Sequence, residues 1–175
     1  MSFPIYYIDT FTDRIFSGNP TAVVCADHST HPDTMQSIAT ELNLPVTAFI
    51  IEKNEQPDSY CIRYFTPTTE IPACGHATLA AARVVQMLKD CNAVEFETIQ
   101  KRRIPAACHE NLIIINYAHL PWKDVRVNEE ILQALGLTTY RTAFFSPELE
   151  TLFIETANEK KLRQVQPDFP RLVKS

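Results

Sequence analysis

Cys74, Gly75 and His76 stand in a row ahead of a run of alanines and branched aliphatics, in the stretch EIPACGHATLAAARVV at residues 70–85. A helix start leaves several backbone N–H groups without intrahelical acceptors and carries roughly half a positive charge. A glycine there lets a ligand approach the backbone closely, since no side chain intervenes. The N–H groups of Gly75, His76 and Ala77 therefore form a candidate cradle for a carboxylate or an enolate. The dipole lowers the proton affinity expected of His76, which can still exchange a proton near neutral pH. Cys74, at the same helix end, is expected to have a depressed pKa and to act as a thiolate base or nucleophile. The same residues also read as the plain cap of a buried helix, with the thiol and imidazole packed as core groups.

Other chemistry-bearing clusters are weaker. Cys25, Asp27, His28 and His31 lie close together in CADHSTH, but no second ligand cluster answers them, so the segment reads as a surface loop and no metal site is expected. The glycine count and spacing of SGNP do not make a phosphate loop.

The elements that must position the first group can be read from periodicity. Residues 75–88 are predicted to be helical, and Ala77, Leu79, Ala80, Ala81, Ala82, Val84, Val85, Met87 and Leu88 cover nearly all its faces. Such a helix is expected to be surrounded by protein, its alanines letting strands approach closely. FPIYYIDTF and TAVVCA read as strands of a hairpin broken by a turn at SGNP. Residues 32–42 read as a helix, with Pro32 at its first position and Met35, Ile38, Ala39 and Leu42 on one apolar stripe; Pro45 blocks its continuation. VTAFIIE and YCIRYFT are expected to be antiparallel partners across a polar turn at KNEQPDS. AVEFETI, RIPAAC and LIIINYA follow as strands, the last two joined by a turn at HEN. LPWKD (120–124) reads as a boundary. Beyond it come a short helix with Asn128 as N-cap and Gly136 as stop, two strands and a polar helical end, a third too small to enclose a core of its own.

Composition narrows the functional classes. The 175 residues are 45% hydrophobic and 21% charged, which suits one domain, or one and part of another. Net charge is −5 and the longest basic run is KRR at 101–103, so neither nucleic acid nor a polybasic membrane anchor is expected. No apolar stretch approaches a membrane span, and the N-terminus lacks the basic start of a signal peptide. Five scattered cysteines with no CxxC pair are expected to be free thiols in a reducing cytosol, which makes the protein cytoplasmic.

Four strings, YYIDTFTDRIFSGNPTAVV, MQSIATELNLPVTAFI, IRYFTPTTEIPACGHATLAAA and VEFET, run in order over about residues 4–98. They resemble the N-terminal half of the PhzF-like family of phenazine-biosynthesis isomerases, which share the diaminopimelate-epimerase fold. The resemblance implies an α+β architecture of two similar halves, each a strand-rich barrel around a central helix, with the active site in the cleft between them. Here residues 1–119 would form the first half-barrel and residues 120–175 the start of a second half, which would be incomplete. Asn19 resembles the family's substrate-contacting asparagine, and Gly75 and His76 its anion-binding glycine and acid/base histidine. Cys74 sits where related epimerases place a catalytic thiol.

Two departures stand against this pattern. Where the family reads NLSETAF, with the Glu as general base, this chain reads NLPVTAF: Val46 stands at the Glu position and Pro45 at the Ser. Glu41 and Glu70 are the nearby carboxylates, both expected to be solvated, with Glu70 the better substitute because its loop leads into Cys74. The family's Asp-Pro-x-Thr-Gly-Ser type motif does not occur after residue 120. The resemblance thus implies an isomerase of a biosynthetic process, moving a proton next to the carboxylate of a small metabolite without metal or nucleotide cofactor. The alternatives are an inactive family member that binds a small anion or a partner chain, and a site completed by a second copy in a homodimer.

Overall fold

Aromatic and β-branched residues at the N-terminus form β1 (Ile5–Thr10), which pairs antiparallel with β2 (Asn19–Ala26). The computed structural model describes residues 2–14, 16–53, 56–109, 112–117 and 121–174. The chain packs as two compact units, Met1–Ala118 and His119–Ser175. In the first, α1 (Pro32–Leu42), β3 (Thr47–Glu52), β4 (Ser59–Phe65), β5 (Glu70–Ile71), α2 (Gly75–Lys89), β6 (Ala93–Glu97), β7 (Arg103–His109) and β8 (Leu112–Ile115) follow in turn. The sheet order is β1-β2-β3-β4-β6-β7-β8, with β5 attached to β4. Pairs β2–β3 and β4–β6 are parallel and the other neighbours antiparallel, so β1 and β8 at the two ends run in the same direction. This mixed sheet curls into a half-barrel around α2.

The alanines of α2 explain the curl. Ala77, Ala80, Ala81 and Ala82 are fully buried, and with Val84 and Val85 they form one core with the inward residues Val23, Ala48, Ile50, Ile62, Tyr64 and Phe96. A helix with methyl side chains fits inside a tightly curved sheet where leucines would not. Helix α1 covers the outer face, setting Met35 and Ala39 against Val24, Phe49, Ile51 and Phe65. Strand β3 is therefore buried on both sides, which is why TAFII is apolar without alternation.

The enclosure of α2 is less complete than its apolar composition predicts. Met87 is 62% and Leu88 50% exposed. Leu79 and Arg83 line a groove bordered by Ile8, Asp9 and Thr10 on one side and Leu112 and Ile113 on the other. Among the described residues neither β1 nor β8 has a strand on its outer side. Periodicity reports which faces are apolar and is silent on whether a sheet closes over them.

Local signals set the helix ends. His31 Nδ1 accepts from the Asp33 N–H (3.3 Å) ahead of Pro32, and α1 stops at Asn43, which takes a left-handed conformation (φ 49°) before Pro45 is reached. Asp27 accepts from the Ser29 N–H and from the Ser29 and Thr30 hydroxyls, so Asp27 and His31 of the Cys25–His31 cluster serve a turn and a helix cap. Among the described residues no group of three or more His, Cys, Asp or Glu could hold a metal, and no helix is long and apolar enough to cross a membrane. Gly18 has no room for a side chain: an added Cβ would strike the Thr10 carbonyl oxygen and lie 2.7 Å from Thr12 Cγ2. Gly18→Ala is expected to cost about 1–3 kcal/mol through the forced backbone shift, read as a lower urea midpoint with unchanged slope.

The second unit is a three-stranded antiparallel sheet, order β11-β10-β9, with three short helices. Lys123–Asp124 of the stretch read as a boundary form β9, pairing with Phe145 and Phe144 of β10 (Thr142–Ser146), which pairs with β11 (Thr151–Glu155). Two residues are too short for a hydrophobic pattern, so this strand is set by its partner alone. Asn128 Oδ1 caps α3 (Glu129–Ala134) through the Glu130 N–H, and Gly136 (φ 69°) ends it, with the Leu137 N–H reaching the Leu132 carbonyl. Helices α4 (Glu159–Arg163) and α5 (Phe169–Leu172) follow. Val127, Ala134, Ala143 and Ser146 are the buried residues described here, a very small core. Glu110 and Asn111 of the HEN turn, residues 54 and 55 of the polar turn, and the 119/120 boundary lie outside the described residues.

Candidate active site

Strand register gathers the expected residues at one rim of the half-barrel. Asn19 opens β2 opposite Thr10, and Val46 immediately precedes Thr47, which pairs with Ala22 on one side and Phe65 on the other. The chain leaves β4 at Phe65, passes through β5 and enters α2 at the same rim. Side chains alternate along a strand, so Asn19 shares the α2-facing side with Val23, and Val46 shares it with Ala48 and Ile50.

Helix α2 starts as expected. Cys74 is its N-cap in extended conformation and makes no side-chain capping bond; the first helical bond is Thr78 N–H to Cys74 O (3.0 Å). The N–H groups of Gly75, His76 and Ala77 precede that bond and have no carbonyl of the helix to meet. Gly75 is exposed, and His76 and Cys74 are half-buried. Cys74 Sγ lies 3.2 Å from His76 Nδ1 and 4.0 Å from Nε2, so the thiol packs against the imidazole with Nδ1 as the nearer nitrogen.

Electrostatics overturns one expectation. Burial pushes the Cys74 thiol up rather than down, because the cost of removing a thiolate from water outweighs the hydrogen bonds that the Ala77 and His76 N–H groups would give it. His76 is held below the ordinary imidazole value, as expected, but through burial. Both shifts favour uncharged groups. The folded His76 resists protonation, so its contribution to stability is lost as pH falls below 6.5, where the unfolded imidazole takes up a proton. The folded Cys74 resists ionisation, so its contribution is lost as pH rises past 9.0, where the unfolded thiol ionises. A neutral thiol–imidazole pair is therefore expected across the interval between them. NMR titration should place the His76 Hε1 midpoint below 6.5, and iodoacetamide should label Cys74 slowly until pH exceeds 9.0.

Neither candidate carboxylate joins the site. Glu70 is not a solvated loop residue: it pairs with Phe65 in β5 and binds Arg63 through both oxygens (Nε–Oε1 2.7 Å, Nη2–Oε2 2.8 Å). The register puts Ile71 on the α2 side of the sheet and Glu70 on the opposite side with Phe65. Glu41 is exposed on α1, which packs on the outer face. Val46 is 6% exposed and belongs to the same apolar core as Ala77, against which Cys74 packs. Its carbonyl accepts from the Thr21 hydroxyl (3.1 Å).

Sequence reading missed a chain of hydroxyls at the helix start. The Thr78 hydroxyl donates to Cys74 O (2.8 Å) and meets Tyr64 OH at 2.6 Å and Tyr117 OH at 3.1 Å. Thr78 follows Cys74 by one helical turn, a spacing that permits this bond. Nothing in the sequence near Tyr117 joins it to a helix 39 residues earlier.

A family model described as phenazine biosynthesis-like protein, PhzC-PhzF, matches residues 8–175. An uncharacterized isomerase of Halalkalibacterium halodurans is 31% identical over 98% of this chain and 64% of its own length. The phenazine biosynthesis-like domain-containing protein of Homo sapiens is 33% identical over 90% of this chain and 58% of its own. The crystal structure of a PhzF-family phenazine biosynthesis protein from Enterococcus faecalis superposes with a TM-score of 0.79 at 31% identity, covering 98% of this chain and 64% of that one. The chain thus spans less than two thirds of the length of each of these relatives.

Proposed function

The chain belongs to the phenazine biosynthesis-like PhzC-PhzF family, and from that membership we propose that it shifts a proton beside the carboxylate of a small metabolite, as an isomerase. The observation that carries this reading is the Cys74–His76 contact at a helix start where Gly75 is exposed and no side chain caps the first turn. The carboxylate rests on the N–H groups of Gly75, His76 and Ala77, with Asn19 contributing from the rim. His76 Nε2 takes the proton from the adjacent carbon: the C–H bond breaks, an N–H bond forms, and the electron pair passes into the carboxylate as an enolate. Donors already aimed at that charge stabilise it without reorganising. The imidazolium then returns the proton to another carbon on the same face, restoring the neutral ring.

Cys74 supports this exchange through Nδ1. When Nδ1–H points at the sulfur, Nε2 is bare and the neutral ring is the base. The imidazolium formed by the first transfer, with a proton on each nitrogen, is the acid that gives the proton back. A thiol kept neutral by burial can accept from Nδ1–H in both states. With Val46 in the core and Glu70 on the outer face, neither supplies a carboxylate to this corner, and the reading assigns proton removal and return there to His76.

Val46 also favours a second reading, in which the site holds a small anion without turning it over. The test is wash-in of deuterium from D₂O into a panel of unsaturated and α-amino carboxylic acids, followed by NMR. Exchange next to the carboxylate of any member supports isomerase chemistry. No exchange across the panel, with acetate still shifting the Gly75–Ala77 amides, supports the binding-only reading.

A further inference from the structure

Tyr117 lies directly over the helix start. A Cβ on Gly75 would be 3.9 Å from its Cε2 and 4.0 Å from its hydroxyl oxygen, so the phenol edge forms one lip of the space above the Gly75 backbone. The side chain reaches there from the segment just after β8, and the residue is 42% exposed.

Hydrogen counting shows what the hydroxyl has to spare. Thr78 owns one hydroxyl proton and donates it to Cys74 O. Its oxygen must then accept from both Tyr64 and Tyr117, which fills it. Tyr64 is buried at 1% exposure and makes the shorter bond, 2.6 Å, so its proton is committed. The Tyr117 bond is the longest of the three at 3.1 Å, and losing it leaves Thr78 still donating once and accepting once. The Tyr117 proton is therefore the one in this chain that can turn to a ligand at least cost.

We propose that the Tyr117 hydroxyl is a further hydrogen-bond donor to the anion at the start of α2, orienting a carboxylate against Gly75 beside Cys74 and His76. This rests on the anion-binding reading of that corner, which isomerase chemistry and binding without turnover share. Thr78 holds the phenol in place when the site is empty and Tyr64 keeps Thr78 fixed, so the donor is preorganised before a ligand arrives. The ligand class this favours is a carboxylate whose two oxygens divide between the backbone N–H groups and the phenol.

The test is titration of the protein with sodium acetate, followed through the ¹⁵N–¹H resonances of Gly75, His76 and Ala77. Tyr117→Phe keeps the ring over Gly75 and removes only the donor. Acetate affinity should fall about tenfold, the scale of a lost hydrogen bond to a charged acceptor, with the ligand-free amide shifts and thermal midpoint unchanged. In the unmodified protein, the Tyr117 ¹³Cζ shift should follow acetate with the same midpoint as the amides, a readout independent of whether the variant folds. Affinity retained within about twofold, or a Cζ resonance indifferent to acetate while the amides respond, overturns the role of Tyr117 and leaves the anion site standing. Acetate that shifts none of the three amides removes the site and the inference together.

Discussion

His76→Ala should lower deuterium wash-in about 10²- to 10⁴-fold, the contribution typical of one positioned acid or base. The effect belongs at the upper end of that range, because Glu70 is held by Arg63 on the opposite side of the sheet and Glu41 lies on α1, so neither is placed to replace the imidazole. His76 is half-buried at the first turn of α2, and alanine is the best helix former, so the fold should survive and the variant's loss should be chemical. Equal wash-in by the variant and the parent protein would remove the imidazole from the reaction. A fall confined to kcat, with substrate affinity kept, would separate proton transfer from the anion cradle, which the alanine leaves in place.

The second large effect concerns Val46. Val46→Glu restores the residue type that the family resemblance leads one to expect, yet here it replaces an apolar side chain that is 6% exposed in the core around α2. Lost packing and a carboxyl buried without a partner together should cost about 2–4 kcal/mol at pH 7, measured by urea unfolding. Burial raises the carboxyl's folded pKa above its unfolded value near 4.3, so the charged form is the penalised one. The loss should therefore be smallest below about pH 4 and grow as pH rises. A variant that is most stable at neutral pH would mean that the carboxylate has reached the N–H groups of Gly75–Ala77. In that case it would occupy the cradle itself, and acetate should no longer bind there.

How much of this was legible beforehand depends on whether the deciding interaction was local. The ends of α1 were readable because Pro32 and the apolar stripe lie within one short segment. The start of α2 was readable for the same reason. The side of the sheet on which Glu70 falls was not, because it depends on pairing with Phe65 rather than on its neighbours. The helix dipole at Cys74 is visible in a string of letters, but the burial that overrides it is a property of the packed core. Tyr117 meets Thr78 only because β8 comes to lie along α2, a juxtaposition that local periodicity does not encode. The open stripe of Leu79, Arg83 and Met87 has the same origin.

That open stripe bears on how the chain survives its own synthesis. Among the described residues β1 and β8 carry no strand on their outer sides, and an edge of that kind can pair with another extended polypeptide, including a second nascent copy. Folding and association then compete for the same intermediates, and the competition is bimolecular on one side only. Recovery of native protein from denaturant should consequently decline as the chain is refolded at higher concentration.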